Sequence, residues 1–229
     1  MSAGRRIFIG ITFLFSMSAA NVLANMYPEF TYSTETRDGQ FVFVMLSPYP
    51  WMDDMARGYA EGGSITYSQF DMMKALKAKY PRSGLYRNDG STTPLWTVNG
   101  YLTDAAVSSD GVHLCSLEHW PVEGLFNEIL TFYENGEEIR RYSAGDLVKS
   151  TEELPSSGMG YCWLDGFIFN DENNTLVIAL MNKDRFTFDI RSGEIIRIER
   201  NPKKIYIGLL VGAALLLLVV GGLIIVKRF

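Results

Sequence analysis

Between residues 25 and 202 the apolar positions come in short runs, many of them alternating with polar ones, and each run is bounded by Gly, Asp, Asn or Pro. Gln40–Leu46 follows Asp38-Gly39, Leu95–Val98 follows Asp89-Gly90, and Val112–Trp120 follows Ser109-Asp110-Gly111. Asn135-Gly136 separates Glu128–Glu134 from Glu137–Tyr142. Thr175–Met181, Arg185–Ile190 and Glu194–Glu199 complete the set, the last two divided by Ser192-Gly193. Asp-Gly and Asn-Gly dipeptides supply the positive φ angles that two-residue hairpins need, so about ten strands at this spacing predict a mostly β domain of antiparallel meanders.

One helix is expected to interrupt the strands. Ser68-Gln-Phe-Asp71 has capping-box spacing, with Asp in place of the usual Glu. Phe70, Met73, Leu76 and Tyr80 follow at helical intervals, and Pro81 ends the segment. The preceding Ser47–Gly63, rich in Pro, Gly and aromatics, reads as an ordered loop.

The two ends of the chain have a different pattern. Arg5-Arg6, the apolar run Ile7–Phe15 and the small residues of Val22-Leu23-Ala24 have the layout of a secretory signal over residues 1–24, cleaved after Ala24. Ile205–Val226 is an uncharged apolar run of 22 residues. As a helix it would be roughly 33 Å long, enough to cross the hydrocarbon of a bilayer. Residues 203–229 are therefore expected to form a single transmembrane helix with a short basic tail, leaving residues 25–202 as an exported domain. Gly208 and Gly212 have the small-xxx-small spacing of close helix approach, which makes self-association through them a candidate. Arg200-Asn201-Pro202 before the run lacks the recognition motif of a removable sorting tag, so a permanent anchor is expected.

A repeat links two parts of the body. Phe132-Tyr-Glu-Asn-Gly136-Glu-Glu-Ile139-Arg140 is similar to Phe188-Asp-Ile-Arg-Ser-Gly193-Glu-Ile-Ile196-Arg197. Upstream of each lies a strand-turn-strand, Ala106–Leu114 in one case and Ile168–Leu176 in the other. These stretches resemble the blades of β-propeller proteins, in which Ser-x-Asp-Gly-x-x-Leu and Phe-Asp-x-x-x-Gly recur. The likeness implies four-stranded meanders. A closed ring takes roughly four blades or more, and the body has room for about three, so the expectation is a stack of blade-like sheets: an incomplete propeller, or failing that a sandwich. Ser83–Ser91, Pro94–Val98 and Asp110–Leu114 also resemble segments of uncharacterised membrane-anchored bacterial proteins, a likeness that implies a fold without implying an activity.

Charge narrows the partners. Six of the 21 basic residues (Arg5, Arg6, Lys203, Lys204, Lys227, Arg228) lie outside residues 25–202, which leaves that body 26 acids against 15 bases, a net of −11. Such a body repels phosphate backbones, which argues against nucleic acid. The bases beside the apolar ends are placed to meet lipid headgroups.

Candidate chemistry is sparse. Cys115 and Cys162 both fall in the exported part and are a disulfide candidate, worth roughly 4 kcal/mol if bonded; two buried thiols are the alternative. His113, Cys115, Leu117 and His119 share one strand face, but His113 and His119 would be roughly 20 Å apart, too far for one ion, and no metal or other cofactor is expected. The chain has no Gly-x-Ser-x-Gly, His-Glu-x-x-His, Cys-x-x-Cys or phosphate loop. Trp51, Asp53 and Asp54 are the candidate ligand contacts, an aromatic beside two acids. Among the aromatics Tyr49, Trp51, Tyr59, Trp96, Trp120, Tyr161 and Trp163, core roles are expected to outnumber groove roles. The leading expectation is a membrane-anchored, extracytoplasmic binding or assembly module that meets another envelope protein. The alternative is a tethered hydrolase of envelope polysaccharide or peptide that uses Asp53 and Asp54.

Overall fold

The computed structural model describes residues 29–201. The expected signal segment 1–24, the anchor over 203–229 and the Gly208–Gly212 pair lie outside the described residues. No helix among the described residues is long and apolar enough to cross a membrane.

Three four-stranded antiparallel meanders follow one another along the chain. The first comprises β1 (Tyr32–Glu35), β2 (Phe41–Met45), β3 (Gly84–Arg87) and β4 (Trp96–Thr97). The second comprises β5 (Asp104–Val107), β6 (His113–Leu117), β7 (Glu128–Glu134) and β8 (Glu137–Ser143). A short helix α3 (Ala144–Leu147), a 3-10 turn (Thr151–Glu153) and a small hairpin of β9 (Ser156–Ser157) and β10 (Gly160–Tyr161) lead to the third meander. That sheet comprises β11 (Leu164–Asn170), β12 (Thr175–Leu180), β13 (Arg185–Asp189) and β14 (Ile195–Glu199).

The sheets stack face to face, and the patterns of the strands show why. In β2, Phe43 and Met45 point toward the second sheet and pack with Leu85, Val107 and Leu114, while Val42 and Val44 point the other way onto Tyr80 and Tyr86. A strand covered on both faces carries a continuous apolar run instead of an alternating one. Strands β5 to β7 of the second sheet are also covered on both sides, while residues 137–141 of its edge strand β8 are exposed. Leu114 faces the first sheet; Cys115, Leu117, Leu130 and Phe132 face Leu176, Ile178, Phe186 and Phe188 of the third. In β12 burial alternates, with Leu176, Ile178 and Leu180 inward and Thr175, Val177 and Ala179 half-exposed. The third sheet is thus covered on one face.

The first strands of the three meanders lie together and point the same way. At their starts, the Tyr32 hydroxyl donates to the Leu102 carbonyl (2.8 Å) and the Tyr101 hydroxyl to that of Phe30 (2.6 Å). Beyond their ends, Asp171 Oδ1 accepts from Ser108 Oγ (2.8 Å) and Ser109 N (2.9 Å), and Arg37 pairs with Glu172 (2.6 Å). The expected equivalence of Phe132–Tyr142 and Phe188–Ile198 appears here as position: each spans parts of the third and fourth strands of its sheet.

Several expectations are corrected. Two full-length helices, not one, fill the β2–β3 connection. The Ser47–Gly63 stretch read as loop contains α1 (Met52–Glu61), whose Met52, Ala56 and Ala60 recur every four residues and form its buried face. Asp53 and Asp54 in its first turn suit the helix dipole. The second helix, α2 (Tyr67–Lys79), is capped by Thr66 and not Ser68: Thr66 Oγ1 accepts from Gln69 N and Gln69 Oε1 accepts from Thr66 N. Phe70 and Met73 pack against Ala56 and Ala60, and Leu76 and Tyr80 pack on the outer face of the first sheet. The Asn135-Gly136 turn has the expected two positive φ angles (49° and 83°). Ser192-Gly193 is not a two-residue turn. Residues 190–194 form a longer loop in which Asp189 Oδ1 accepts from Arg191 N and Ser192 N, and only Gly193 has a positive φ.

Candidate functional site

Trp51 is the residue before α1, 41% exposed and stacked on Tyr49 at 5.4 Å. Asp53 and Asp54 follow it on the helix, where adjacent side chains diverge by about 100°. Asp53 Oδ1 accepts from Lys77 Nζ at 2.6 Å and ties α1 to α2. Asp54 faces solvent, with Arg57 at 4.0 Å. The two carboxylates therefore do not converge, and the pairing that a hydrolase would need from them is not built. What remains there is an exposed aromatic step, Tyr49 on Trp51. Most of the other aromatics serve the interior. Trp163 is fully buried and its Nε1 donates to the Glu118 carbonyl (2.8 Å), Trp96 packs on Phe43 and donates to the Gly111 carbonyl (2.8 Å), and Tyr59 meets Phe30 edge-on.

Cys115 and Cys162 are both free thiols, so the candidate disulfide is not formed. Cys115 is fully buried on β6, and burial pushes its thiol up to about 12. Cys162 lies outside the strands, between β10 and β11, contrary to the expected strand position. His113 opens β6 in register with Cys115 and Leu117, and its Nδ1 lies 2.6 Å from Asp110 Oδ2 at the β5–β6 turn. No group of three or more His, Cys, Asp or Glu among the described residues is placed to hold a metal ion.

One polar cluster is marked by no motif in the sequence. It sits where β5 begins and β6 ends. Asp104 pairs with Leu117 in the ladder, which sets Thr103 opposite Glu118 and Leu102 opposite His119 just beyond it. Thr103 Oγ1 donates to Glu118 Oε2 (2.8 Å), and His119 Nδ1 reaches diagonally to Asp104 Oδ2 (2.8 Å). Trp120 covers the His119 ring at 4.7 Å between centroids, and its amide donates to Glu118 Oε1 (3.3 Å). The hydrogen bond that His119 donates to Asp104 raises the His119 pKa against the opposing effect of burial, and the charges of Asp104 and Glu118 add to the rise. Burial and the nearby Glu118 raise the Glu29 carboxyl. Burial raises the Tyr101 hydroxyl, helped by Glu29, Asp104 and Glu118.

A carboxylate-held imidazole can carry a proton. Nucleophilic catalysis would also need an aligned hydroxyl or thiol. The nearest hydroxyl in the ladder, that of Thr103, is already committed to Glu118. The cluster is thus an acidic, proton-binding patch without the geometry of a hydrolytic triad. Counting outward from the Asp110-Gly111 turn would have placed Thr103 opposite Glu118; the diagonal reach of His119 depends on strand twist, which no count supplies. A shallow opening of about 370 Å³ lies at the same end of the fold, lined by Leu46, Ser47, Arg82, Ser83, Asn99 and Tyr101 among others.

No family model and no curated protein matches the chain.

Proposed function

We propose that this chain is a membrane-anchored, extracytoplasmic, non-enzymatic module that assembles with another envelope protein, its body an incomplete propeller of three blades. The observation that carries this reading is the unequal covering of the sheet stack. The outer face of the first sheet lies under α2, and strands β5 to β7 of the second are packed on both faces, with only β8 open at its edge. The outer face of the third has no cover among the described residues. Ile168 on that face is 65% exposed beside its half-exposed partner Val177, whereas Phe167 and Ile198, exposed on the two edge strands, pair with the buried Ile178 and Phe186 and so belong to the inner face. A meander with one face left uncovered, here with Ile168 and Val177 at its centre, is the surface on which a further sheet would normally stack. The signal-like residues 1–24, the uncharged run Ile205–Val226 and the acidic body support the address.

The test is photocrosslinking in native membranes, with the full chain carrying the crosslinker at Ile168 or at Val177, its partner on the outer face. A discrete adduct with one envelope protein is expected from both positions and not from Glu137 at the far end of the second sheet. An Ile168→Glu substitution should abolish the adduct formed from Val177. Adducts that form equally from all three positions, or only at Glu137, would overturn the reading.

A further inference from the structure

We infer that the folded body itself rests on the lipid surface, through the end of the fold from which the chain leaves toward Ile205, and that Phe126 and Met159 enter the interfacial layer. This rests on the anchored reading above. Strand directions place a set of segments at one end. β14 ends there, as do β6, β8 and β12, and β7, β11 and β13 begin there. The exit is held rigidly. Asp184 in the β12–β13 turn accepts from Arg200 Nη1 (2.9 Å) and Asn201 N (2.7 Å), and Asn201 Nδ2 donates to the Asn182 carbonyl (2.9 Å). Only Pro202, Lys203 and Lys204 separate Asn201 from the apolar run. Fully extended, that link spans at most about 14 Å. The headgroup layer alone occupies roughly 5–8 Å of it. The exit end of the fold therefore sits at the headgroups or within a few ångströms of them.

Two exposed apolar side chains project from this end, and both are presented by built structure. Phe126 is 76% exposed in the β6–β7 connection. Its loop is pinned: Gly124 N donates to Asn127 Oδ1 (2.9 Å), Ala144 N to the Asn127 carbonyl (2.8 Å) and Gly145 N to that of Leu125 (2.7 Å). The Phe126 ring lies over Gly124, where a Cβ would come within 2.8 Å of it. Met159, 45% exposed, sits at the tip of the β9–β10 hairpin, with its amide donating to Ser157 Oγ (3.2 Å). Paired Val122–Tyr161 hydrogen bonds (2.8 and 2.9 Å) join that hairpin to the Phe126 loop. A bond from Asn182 Nδ2 to Glu153 Oε2 (2.9 Å), just ahead of the hairpin, ties the same region to the exit. Loop, hairpin and exit thus form one connected tip. Since the body is acidic, contact driven by anionic headgroups is disfavoured and apolar insertion is the mode that fits.

The experiment uses the full chain in phosphatidylcholine vesicles, in a Cys162→Ser background, since the buried Cys115 does not label. An environment-sensitive fluorophore is attached at Phe126→Cys, Met159→Cys or Glu137→Cys, and nitroxide lipids serve as quencher. The labels at 126 and 159 should emit blue-shifted and be quenched several-fold more than the label at 137, with no change between low and high salt. A chain that resists alkaline carbonate while 126 and 159 stay as unquenched as 137 would sink this inference and leave the anchor standing. Equal quenching at all three sites would mean a body lying flat, which also sinks it. A chain stripped by carbonate would remove the anchor and this inference together.

Discussion

Asp184 accepts from Arg200 Nη1 at 2.9 Å, and the Asp184 side chain is only 2% exposed while that of Arg200 is 39% exposed. The last strand therefore ends on a buried carboxylate and leaves the fold in one fixed direction.

Arg200→Ala should lower stability by about 1–3 kcal/mol, because it takes a charged donor from a carboxylate that cannot turn to water. The denaturation midpoint of the detergent-solubilised chain measures this. The Arg200→Lys variant should retain part of the loss, since one ammonium replaces a planar guanidinium. A midpoint unchanged in Arg200→Ala would show that the pair does not hold the exit.

Stability should depend on pH through two pairs of opposite sign. Asp104 raises the pKa of His119, so that contribution is fully present below the unfolded histidine value of about 6.5 and is lost as pH rises through the higher folded value. Burial pushes Asp110 up, but hydrogen bonds from the His113 ring and from the amides of Val112 and His113 outweigh it and hold the carboxyl below its usual value. That contribution is present above about pH 4 and is lost as pH falls through the folded value. Melting temperature against pH should lose its alkaline-side decline in His119→Gln and its acid-side decline in Asp110→Asn. Profiles that keep both declines in the variants would refute these assignments.

The two repeat glycines should differ in tolerance. At Gly136 a Cβ would meet the Thr97 carbonyl oxygen at 2.1 Å, a backbone atom, with φ at 83°. At Gly193 the nearest atoms belong to side chains, Arg140 Cβ at 2.8 Å and Phe132 Cδ2 at 2.9 Å, with φ at 68°. Gly193→Ala should cost about 1–2 kcal/mol from the left-handed conformation alone, and Gly136→Ala more. Urea titration of both variants decides the order.

The thiols should separate cleanly. Iodoacetamide on the native chain should modify Cys162 and leave Cys115, which reacts only after unfolding. Mass spectrometry of the native and denatured samples reads this directly. A non-reducing sample with neither thiol reactive after denaturation would mean that the two are bonded after all.

Tyr142 joins the second and third sheets: its hydroxyl donates to the Gly193 carbonyl at 2.7 Å, and its ring meets Phe188 at 5.1 Å. Tyr142→Phe should cost about 1–2 kcal/mol by leaving that carbonyl buried without its donor. A calorimetric loss near zero would mean that water replaces the bond.

The antiparallel β character, the Asn135-Gly136 hairpin and the placement of Phe132 and Phe188 in matching strands could be read from the chain, because alternation and turn residues act over a few neighbours; the expected ten or so strands fell short of the fourteen found among the described residues. Other features were settled only by packing across long separations. Helix α1 forms from a Pro- and Gly-rich stretch because Ala56 and Ala60 find Phe70 and Met73 to bury against. The distance between Cys115 and Cys162 depends on how the β9–β10 hairpin enters the third sheet, which no spacing encodes. Asp53 and Asp54 are adjacent in sequence and diverge in space because the helix turns them apart, whereas Asp104 and His119, fifteen positions apart, come together because a ladder and its twist bring them there. Local periodicity specifies which face a side chain takes, and the stacking of whole sheets decides what that face meets.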